Sequence, residues 1–430
     1  MIEFNEDIGL IPYIDLLKLD KESWVVILPN KIIFLSDATE DEIKELVAKE
    51  KEELVKEIEK EKSEVDEKPV ANITFLPTFD CNLRCIYCYS KGGDEKVYLT
   101  KKLAKASIEA VASKMKASEI NLHFAGGGEP FLNFDLMDFA VNYSKELFDT
   151  VNIGLVTNGT FNTEQHQWVT NNNVDLRISF DGLAQGYQRP PAYPFKNTII
   201  KNIESLSELN YDFIVQCIIT SKSVNSMVEN VRYFSELGIK YLKIEPVHMS
   251  EICRGDNSLI PNPQEFVDNF IKMLNFIAEN DLDIKIDSSF FSRPTIGYYC
   301  GISDPNINIT PEGYITACVE VTRRTDPFSD TLLYGKCLVD KEKFFLNEAS
   351  ITKLKKLHFS NYEKCNKCNL KLICKAGCPI RNIFDYGFSF SPSKYTCQIE
   401  KNLVPKVFSL IKSNPKYSKI IFENFRIRMC

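Results

Sequence analysis

The chain has 430 residues, 44% apolar and 26% charged, which is ordinary for a globular protein with about two or three domains and rules out wholesale disorder. Its 52 basic and 59 acidic residues leave a net charge of −7, which supplies no general attraction to nucleic acid or to an anionic membrane. No apolar run reaches the roughly 18 residues of a membrane span, and the acidic start MIEFNEDIGL is unlike a signal peptide, so the expected location is the cytoplasm.

In chain order, two β-like runs come first, WVVILP (24–29) and KIIFLS (31–36), joined at Asn30. A charged helix is expected from about Thr39 to Lys62, capped by Asp37 or Thr39, with a sparse stripe of Ile43, Leu46, Val47, Leu54 and Ile58. EKSEVDEKP, near 60–69, reads as a linker closed by Pro69. From Val70 six β-runs follow, at 71–77, 119–125, 151–157, 174–180, 213–220 and 241–246, with helical stretches at 99–115, 134–147 and 224–237 between them. That alternation predicts an α/β fold whose parallel sheet is open or curled into a partial barrel, with functional residues at the C-terminal strand ends. A helix at 263–280 closes the block, and from about 288 short segments and many cysteines suggest a small metal-stapled domain to about 400. A helix near 402–412 and a basic tail end the chain. The expected units are therefore 1–68, 69–287, 288–400 and 401–430.

Fourteen cysteines stand against four histidines, which favours thiolate metal sites over disulfides or histidine-based catalysis in a large cytosolic chain. Cys81, Cys85 and Cys88 lie in CNLRCIYC just after the first strand of the block. They put three thiolates on one tight loop without a fourth. Such a loop fits a cubane cluster with one open iron, or a zinc ion that borrows a distant cysteine.

The C-x₃-C-x₂-C spacing, with Tyr87 before the last cysteine, resembles the signature of the radical S-adenosylmethionine (SAM) superfamily. GGGEP (126–130), after the second strand, resembles its Gly-Gly-Glu-Pro element and makes Gly127, Gly128 and Glu129 candidate cofactor contacts. TNGT, SFDG and KIEPV close the third, fourth and sixth strands. They add Asn158, Ser179 and, in the following loop, Arg189, with Asp181 expected to organise its turn. The resemblance implies a partial (β/α)6 barrel holding S-adenosyl-L-methionine on an open-cornered 4Fe–4S cluster. It also implies reductive cleavage to a 5′-deoxyadenosyl radical that removes hydrogen from a C–H bond.

The second cysteine set reads Cys300-x₁₂-Gly-x₄-Cys318, then Cys365-x₂-Cys368-x₅-Cys374-x₃-Cys378, then Cys397. Part of it alone would fit a zinc ribbon or a ferredoxin-like site. The complete order resembles the SPASM extension, which carries two auxiliary 4Fe–4S clusters, for three clusters in all. By that resemblance Cys365, Cys368, Cys374 and Cys397 hold the outer cluster, and Cys300, Cys318 and Cys378 the inner one. The inner set lacks one family cysteine. It therefore recruits Cys337 or Cys253 or keeps an open iron, the reading favoured here because an open iron suits a substrate thiolate.

Double-signature relatives act mainly on peptides, so the expected activity is maturation of a ribosomally made precursor peptide, with thioether formation the specific expectation. Sulfatase-maturing members carry an Asp directly after the cysteine matching Cys318. Val319 stands there, followed by Glu320, a candidate displaced base. A sulfatase-maturase-like dehydrogenase and a non-enzymatic iron–sulfur or zinc protein are the alternatives. The N-terminal β-runs and helix loosely resemble elements that hold leader peptides by β-augmentation, and the expected electron donor is a flavodoxin or ferredoxin.

Overall fold

The structure is a computed structural model describing residues 14–29, 31–63, 70–248, 257–291, 294–295, 297–304, 306–421 and 426–429. The expected joint at Asn30, most of the 60–69 linker, the side chain of Ile58 and the alternative ligand Cys253 lie outside the described residues.

Strands β1 (Asp15–Lys18), β2 (Ser23–Leu28) and β3 (Lys31–Ser36) form an antiparallel meander. The runs around β2 and β3 are almost wholly apolar because both faces are covered. Val25, Ile27, Ile32 and Phe34 join the main core, whereas Val26, Leu28, Ile33 and Leu35 pack against Ile43, Leu46 and Val47 of helix α1 (Glu40–Ser63). Thr39 rather than Asp37 caps that helix. Its hydroxyl accepts the Glu42 N–H at 3.3 Å while Glu42 accepts the Thr39 N–H at 2.8 Å, a reciprocal capping box.

The main sheet has eleven strands, and every expected run is present in it. β4 (Val70–Phe75), β5 (Glu119–Phe124), β6 (Thr150–Thr157), β7 (Asp175–Ser179), β8 (Phe213–Ile219), β9 (Tyr241–Pro246) and β10 (Lys285–Asp287) lie side by side and parallel. Helices α2 (Lys101–Met115), α3 (Phe134–Leu147), α4 (Thr163–Asn171), α5 (Gln185–Gln188), α6 (Phe195–Glu208), α7 (Met227–Glu236) and α8 (Pro263–Glu279) occupy the connections. α4 and α6 were not among the expected helices. Polar NTEQHQ and FKNTII hide a narrow stripe in which only Trp168 and Val169, or Ile199, Ile203 and Leu206, are buried.

The cysteine-rich part does not stand off from this sheet; it extends it. β11 (Ile307–Ile309) pairs parallel to β4, and β12 (Tyr314–Thr316), β13 (Leu333–Leu338) and β14 (Lys343–Leu346) continue antiparallel. β4, which precedes Cys81, is thereby two strands from β12, which precedes Cys318. The expected helix at 402–412 starts earlier and spans Lys394–Ser413, across the expected boundary at 400. The tail ends in β15 (Arg426–Met429), which pairs parallel to β3. Among the described residues no helix is long and apolar enough to cross a membrane.

The four-residue β1 carries too short a pattern to be read from sequence, yet it clamps the N-terminal sheet to the cysteine-rich part. Asp15, 1% exposed, accepts the Leu372 N–H at 2.9 Å and pairs with Lys371, whose side chain is 10% exposed. Burial raises the Asp15 pKa against the pull of Lys371. Removing one partner of such a buried pair leaves an uncompensated charge. Asp15→Ala should cost roughly 3–5 kcal/mol in denaturant unfolding, and Asp15→Ala/Lys371→Met should recover most of it.

Candidate active site

The Cys81–Cys88 loop follows β4 and is fastened by backbone bonds. Phe79 N–H donates to Val97 at 2.9 Å, Ile86 N–H to Gln188 at 2.9 Å and Arg84 N–H to Pro190 at 2.6 Å. The GGGE loop after β5 lies directly upon it, with Gly128 N–H on the Thr78 carbonyl and Glu129 N–H on the Asp80 carbonyl, both at 2.8 Å. A Cβ on Gly128 would stand 1.8 Å from the Asp80 oxygen, and one on Gly127, whose φ is +71°, 2.6 Å from the Thr78 oxygen. These glycines are therefore required by the approach of two backbones, whatever they also offer a cofactor.

Each sulfur of the loop has a nitrogen aimed at it. Cys81 accepts the Leu83 N–H at 3.4 Å, Cys88 the Gly92 N–H at 3.4 Å, and an Arg189 guanidinium nitrogen lies 3.9 Å from Cys85. Burial pushes the Cys81 thiol up to about 12, Glu129 adding to it, and the Cys85 thiol up to about 11 against the pull of Arg189. Three thiols on one loop, with Cys81 and Cys85 held protonated by burial until a cation replaces their protons, suit a bound metal cluster. Among the described residues no three metal-binding side chains converge on a single ion. A four-iron cubane spreads its thiolates more widely than one tetrahedral zinc with bonds near 2.3 Å, so the donor set fits the cluster better.

A cavity of about 220 Å³ opens at this loop, and all the candidate residues of the block line it: Cys81, Cys85, Tyr87, Cys88, Gly127, Gly128, Glu129, Asn158, Ser179 and Arg189. Several of them are braced by the chain itself. Asp181 organises its turn as expected, accepting from Arg189 Nε at 3.0 Å, Gln188 at 2.8 Å, the Ile218 N–H at 2.9 Å and the Tyr87 hydroxyl. The Arg189 guanidinium lies 5.3 Å from the Tyr87 ring centre. Asn158 donates to Asn82 at 2.7 Å and accepts from the Thr160 N–H at 3.0 Å. Glu129, expected as a cofactor contact, ties β5 to β6. It accepts from the Thr157 hydroxyl and the Asn158 N–H, both at 2.7 Å, and burial raises its carboxyl to about 7.

The remaining cysteines fall into the two expected groups. Cys300 precedes β11, Cys318 follows β12, and Cys378 caps the helix Pro379–Tyr386. Burial pushes Cys300 up to about 12, with Cys378 and Glu320 adding to it, and Cys318 feels Glu320, Cys378 and Cys300 in turn. Cys365, Cys368, Cys374 and Cys397 likewise act on one another. Burial pushes Cys365 up to about 12, with Cys397 and Cys368 next among the causes. Cys337 is a correction. Its place in β13 puts it in the apolar core, 4% exposed, where its sulfur accepts from Ser107 of α2 at 3.4 Å, and no other cysteine acts on it. Cys217 is likewise a core residue beside Asn230.

Three further residues were not singled out from the sequence. His248, two positions beyond β9, lines the cavity and holds Glu320 Oε1 at 2.8 Å through Nε2. Arg381, three positions after Cys378, lies 3.1 Å from its Nδ1. Because arginine only donates, Nδ1 accepts and the proton sits on Nε2, which donates to Glu320. Glu320 Oε2 is buried with no hydrogen-bond partner. Tyr89 also lines the cavity, its phenol pushed up by burial and then by Glu320, Cys88 and Cys318, which places it between the two cysteine groups. A Cβ on Gly126 would meet the Val319 side chain at 2.9 Å, so the segment after Cys318 packs on the GGGE loop. The strand-end rule could have found His248; Arg381 had no sequence signal.

A family profile described as the radical SAM superfamily matches residues 75–251. Over those residues the chain resembles the radical SAM superfamily. It is 23% identical over 330 residues to a cysteine-type anaerobic sulfatase-maturating enzyme of Clostridium perfringens, covering 69% of this chain and 85% of that one. It is 22% identical over 312 residues to a GTP 3',8-cyclase of the same species, covering 69% and 90%. Among solved structures, native anSMEcpe with bound AdoMet and Cp18Cys peptide superposes with a TM-score of 0.63 at 19% identity over 82% of this chain and 100% of that one. Streptococcus suis SuiB bound to precursor peptide SuiA gives 0.55 at 14% identity over 90% and 98%. The shared fold thus extends beyond the radical SAM domain.

Two substitutions separate the roles of these residues. Gly128→Ala should displace the Cys81 loop and lower the iron content of the reconstituted protein by about four per chain; unchanged iron would contradict the backbone argument. Cys337→Ala should leave both iron content and the spectra of the reduced clusters unaltered, and loss or conversion of a cluster would return Cys337 to the ligands.

Proposed function

We propose that this enzyme matures a ribosomally made precursor peptide, using a 5′-deoxyadenosyl radical to abstract hydrogen from one residue and install a crosslink, specifically a thioether. The observation that carries the reading is the single cavity shared by the three-thiol loop, the GGGE turn and the strand ends, with the second cysteine group against its wall. When bound, a 4Fe–4S cluster and S-adenosylmethionine supply the radical chemistry at that cavity. Cys81, Cys85 and Cys88 would hold the cluster, while Tyr87, Ser179 and Arg189 border the space beside it. Cys300, Cys318 and Cys378 would hold an inner auxiliary cluster, and Cys365, Cys368, Cys374 and Cys397 an outer one.

A peptide has somewhere to lie. A second cavity of about 630 Å³ shares His248 with the first and is lined by Pro261, Arg381, Tyr386, Lys394 and Tyr395 among others. A side chain entering from that side would meet His248, which holds Glu320, and the buried Oε2 of Glu320 is a candidate proton acceptor. The bound peptides in the anSMEcpe and SuiB structures support the same substrate class. Among the described residues the inner group has three cysteines rather than four, which would leave an iron corner that suits a substrate thiolate and favours the thioether. For a leader peptide, β3 is not an open edge, because β15 pairs with it; among the described residues the edges of that sheet available for β-augmentation are β1 and β15.

Reconstituted anaerobically and reduced with dithionite, the protein should convert S-adenosylmethionine to 5′-deoxyadenosine. A short cysteine-containing precursor encoded beside it should become lighter by the hydrogens lost. One of its cysteines should then resist iodoacetamide, because a thioether sulfur is no longer nucleophilic. A modified peptide whose cysteines all alkylate would exclude the thioether and leave another crosslink or an epimerisation.

A further inference from the structure

Glu320 belongs to the inner cysteine group by position, and one of its oxygens has no structural use. It follows Cys318 by two positions, on a turn closed by the Val321 N–H on the Cys318 carbonyl at 3.0 Å, and the Cys318 sulfur accepts the Glu320 N–H. Its side chain is 11% exposed. Oε1 is held by His248 at 2.8 Å, and His248 is fixed in turn by Arg381, three positions after Cys378. Oε2 is closed off from solvent and has no hydrogen-bond partner among the described residues. A buried carboxylate oxygen without a donor is costly, and an ion that it meets in the loaded protein is one of the few explanations. The surroundings point to the ion. Beyond burial, Glu320 raises the thiol of Cys318, that of Cys300 after Cys378, and that of Cys378 against the pull of Arg381. One carboxylate thus acts on all three sulfurs of a set that is one donor short. Four anionic donors gathered in one place repel one another until a cation lies between them. Cys337 is out of reach in the core beside Ser107, and Cys253, the competing ligand, lies outside the described residues. Glu400 also has a buried oxygen without a partner, but it bonds Cys374 of the outer group, which already has four sulfurs.

We propose that Glu320 Oε2 is the fourth protein ligand of the inner cluster, completing the set of Cys300, Cys318 and Cys378. The proposal rests on the reading of those cysteines as a cluster site. His248 and Arg381 are then positioning residues. The His248 N–H on Oε1 leaves a single oxygen for iron and fixes its direction. A carboxylate is a harder donor than a thiolate, so it holds a cluster iron more weakly than a cysteine would and yields it more readily to an arriving sulfur. The corner is therefore closed when no peptide is bound, yet still available to a substrate thiolate. Oε2 can accept a proton only while it is off the iron.

Holoenzyme produced with glutamate labelled with ¹³C at the side-chain carboxyl, then reduced, should show a ¹³C hyperfine coupling to a cluster signal, because a bound carboxylate carbon lies far closer to the paramagnetic irons than any other. Glu320→Cys and, separately, Glu320→Ala should each lose that coupling. The cysteine variant supplies a thiolate in place of the carboxylate and should keep the parent iron content. No coupling in the parent protein would overturn the proposal and leave the place to Cys253 or to an open iron. A coupling that survives in both Glu320 variants would overturn it as well. Cys300→Ala/Cys378→Ala should lower the iron content by about four per chain. Unchanged iron in that variant would instead overturn the underlying reading of the inner group, and the proposal with it.

Discussion

The site depends on one close approach between backbones. The turn after β5 lies on the loop after β4, with two N–H groups on the Thr78 and Asp80 carbonyls and no space for a side chain at Gly128. Everything else registers from that contact. Glu129 is held where it can brace β6, Asn158 where it reaches Asn82 in the cysteine loop, and Gly126 where Val319 packs on it. The cysteine loop is thereby fixed against the parallel sheet on one side and the auxiliary cysteine group on the other.

Burial adds an electrostatic consequence. Thiols at the first loop and in both later groups are pushed up, mainly because a thiolate is poorly solvated there. Where burial holds such a thiol protonated, cluster assembly must expel that proton. The N–H groups already aimed at Cys81 and Cys88 become more favourable once those sulfurs are anionic. The site is arranged for the loaded state.

Much of this was legible in the sequence. The six β-runs were found because apolar residues recur along each with period two, as the alternating burial of β4, β5 and β8 reflects, and their ends bear the glycine and polar turns that line the cavity. The grouping of the later cysteines came from the resemblance of their order to the SPASM extension, since spacing alone would also have fitted a zinc ribbon. Cys337, offered only as a spare inner ligand, lies in β13, whose alternation sends that thiol into the core beside Ser107. The links between Arg381, His248 and Glu320, and between Asp15 and Lys371, join residues 133 and 72 positions apart in the first case and 356 in the second. Neither leaves a local pattern. Glu129 lines the cavity, and its bonds to Thr157 and Asn158 were not legible, since a motif tells where a carboxylate sits and not which donors reach it.

The most direct measurement is electron paramagnetic resonance of the reduced protein after Cys300, Cys318, Cys365 and Cys368 are replaced by Ala, leaving Cys81, Cys85 and Cys88 as the intact set. S-adenosylmethionine labelled with ¹⁵N at the amino group and ¹⁷O at the carboxylate should alter the 4Fe–4S signal and add hyperfine couplings from both atoms, because an iron with no protein ligand binds them. A zinc-loaded, silent protein, or an iron signal that labelled cofactor leaves unchanged, would contradict the account.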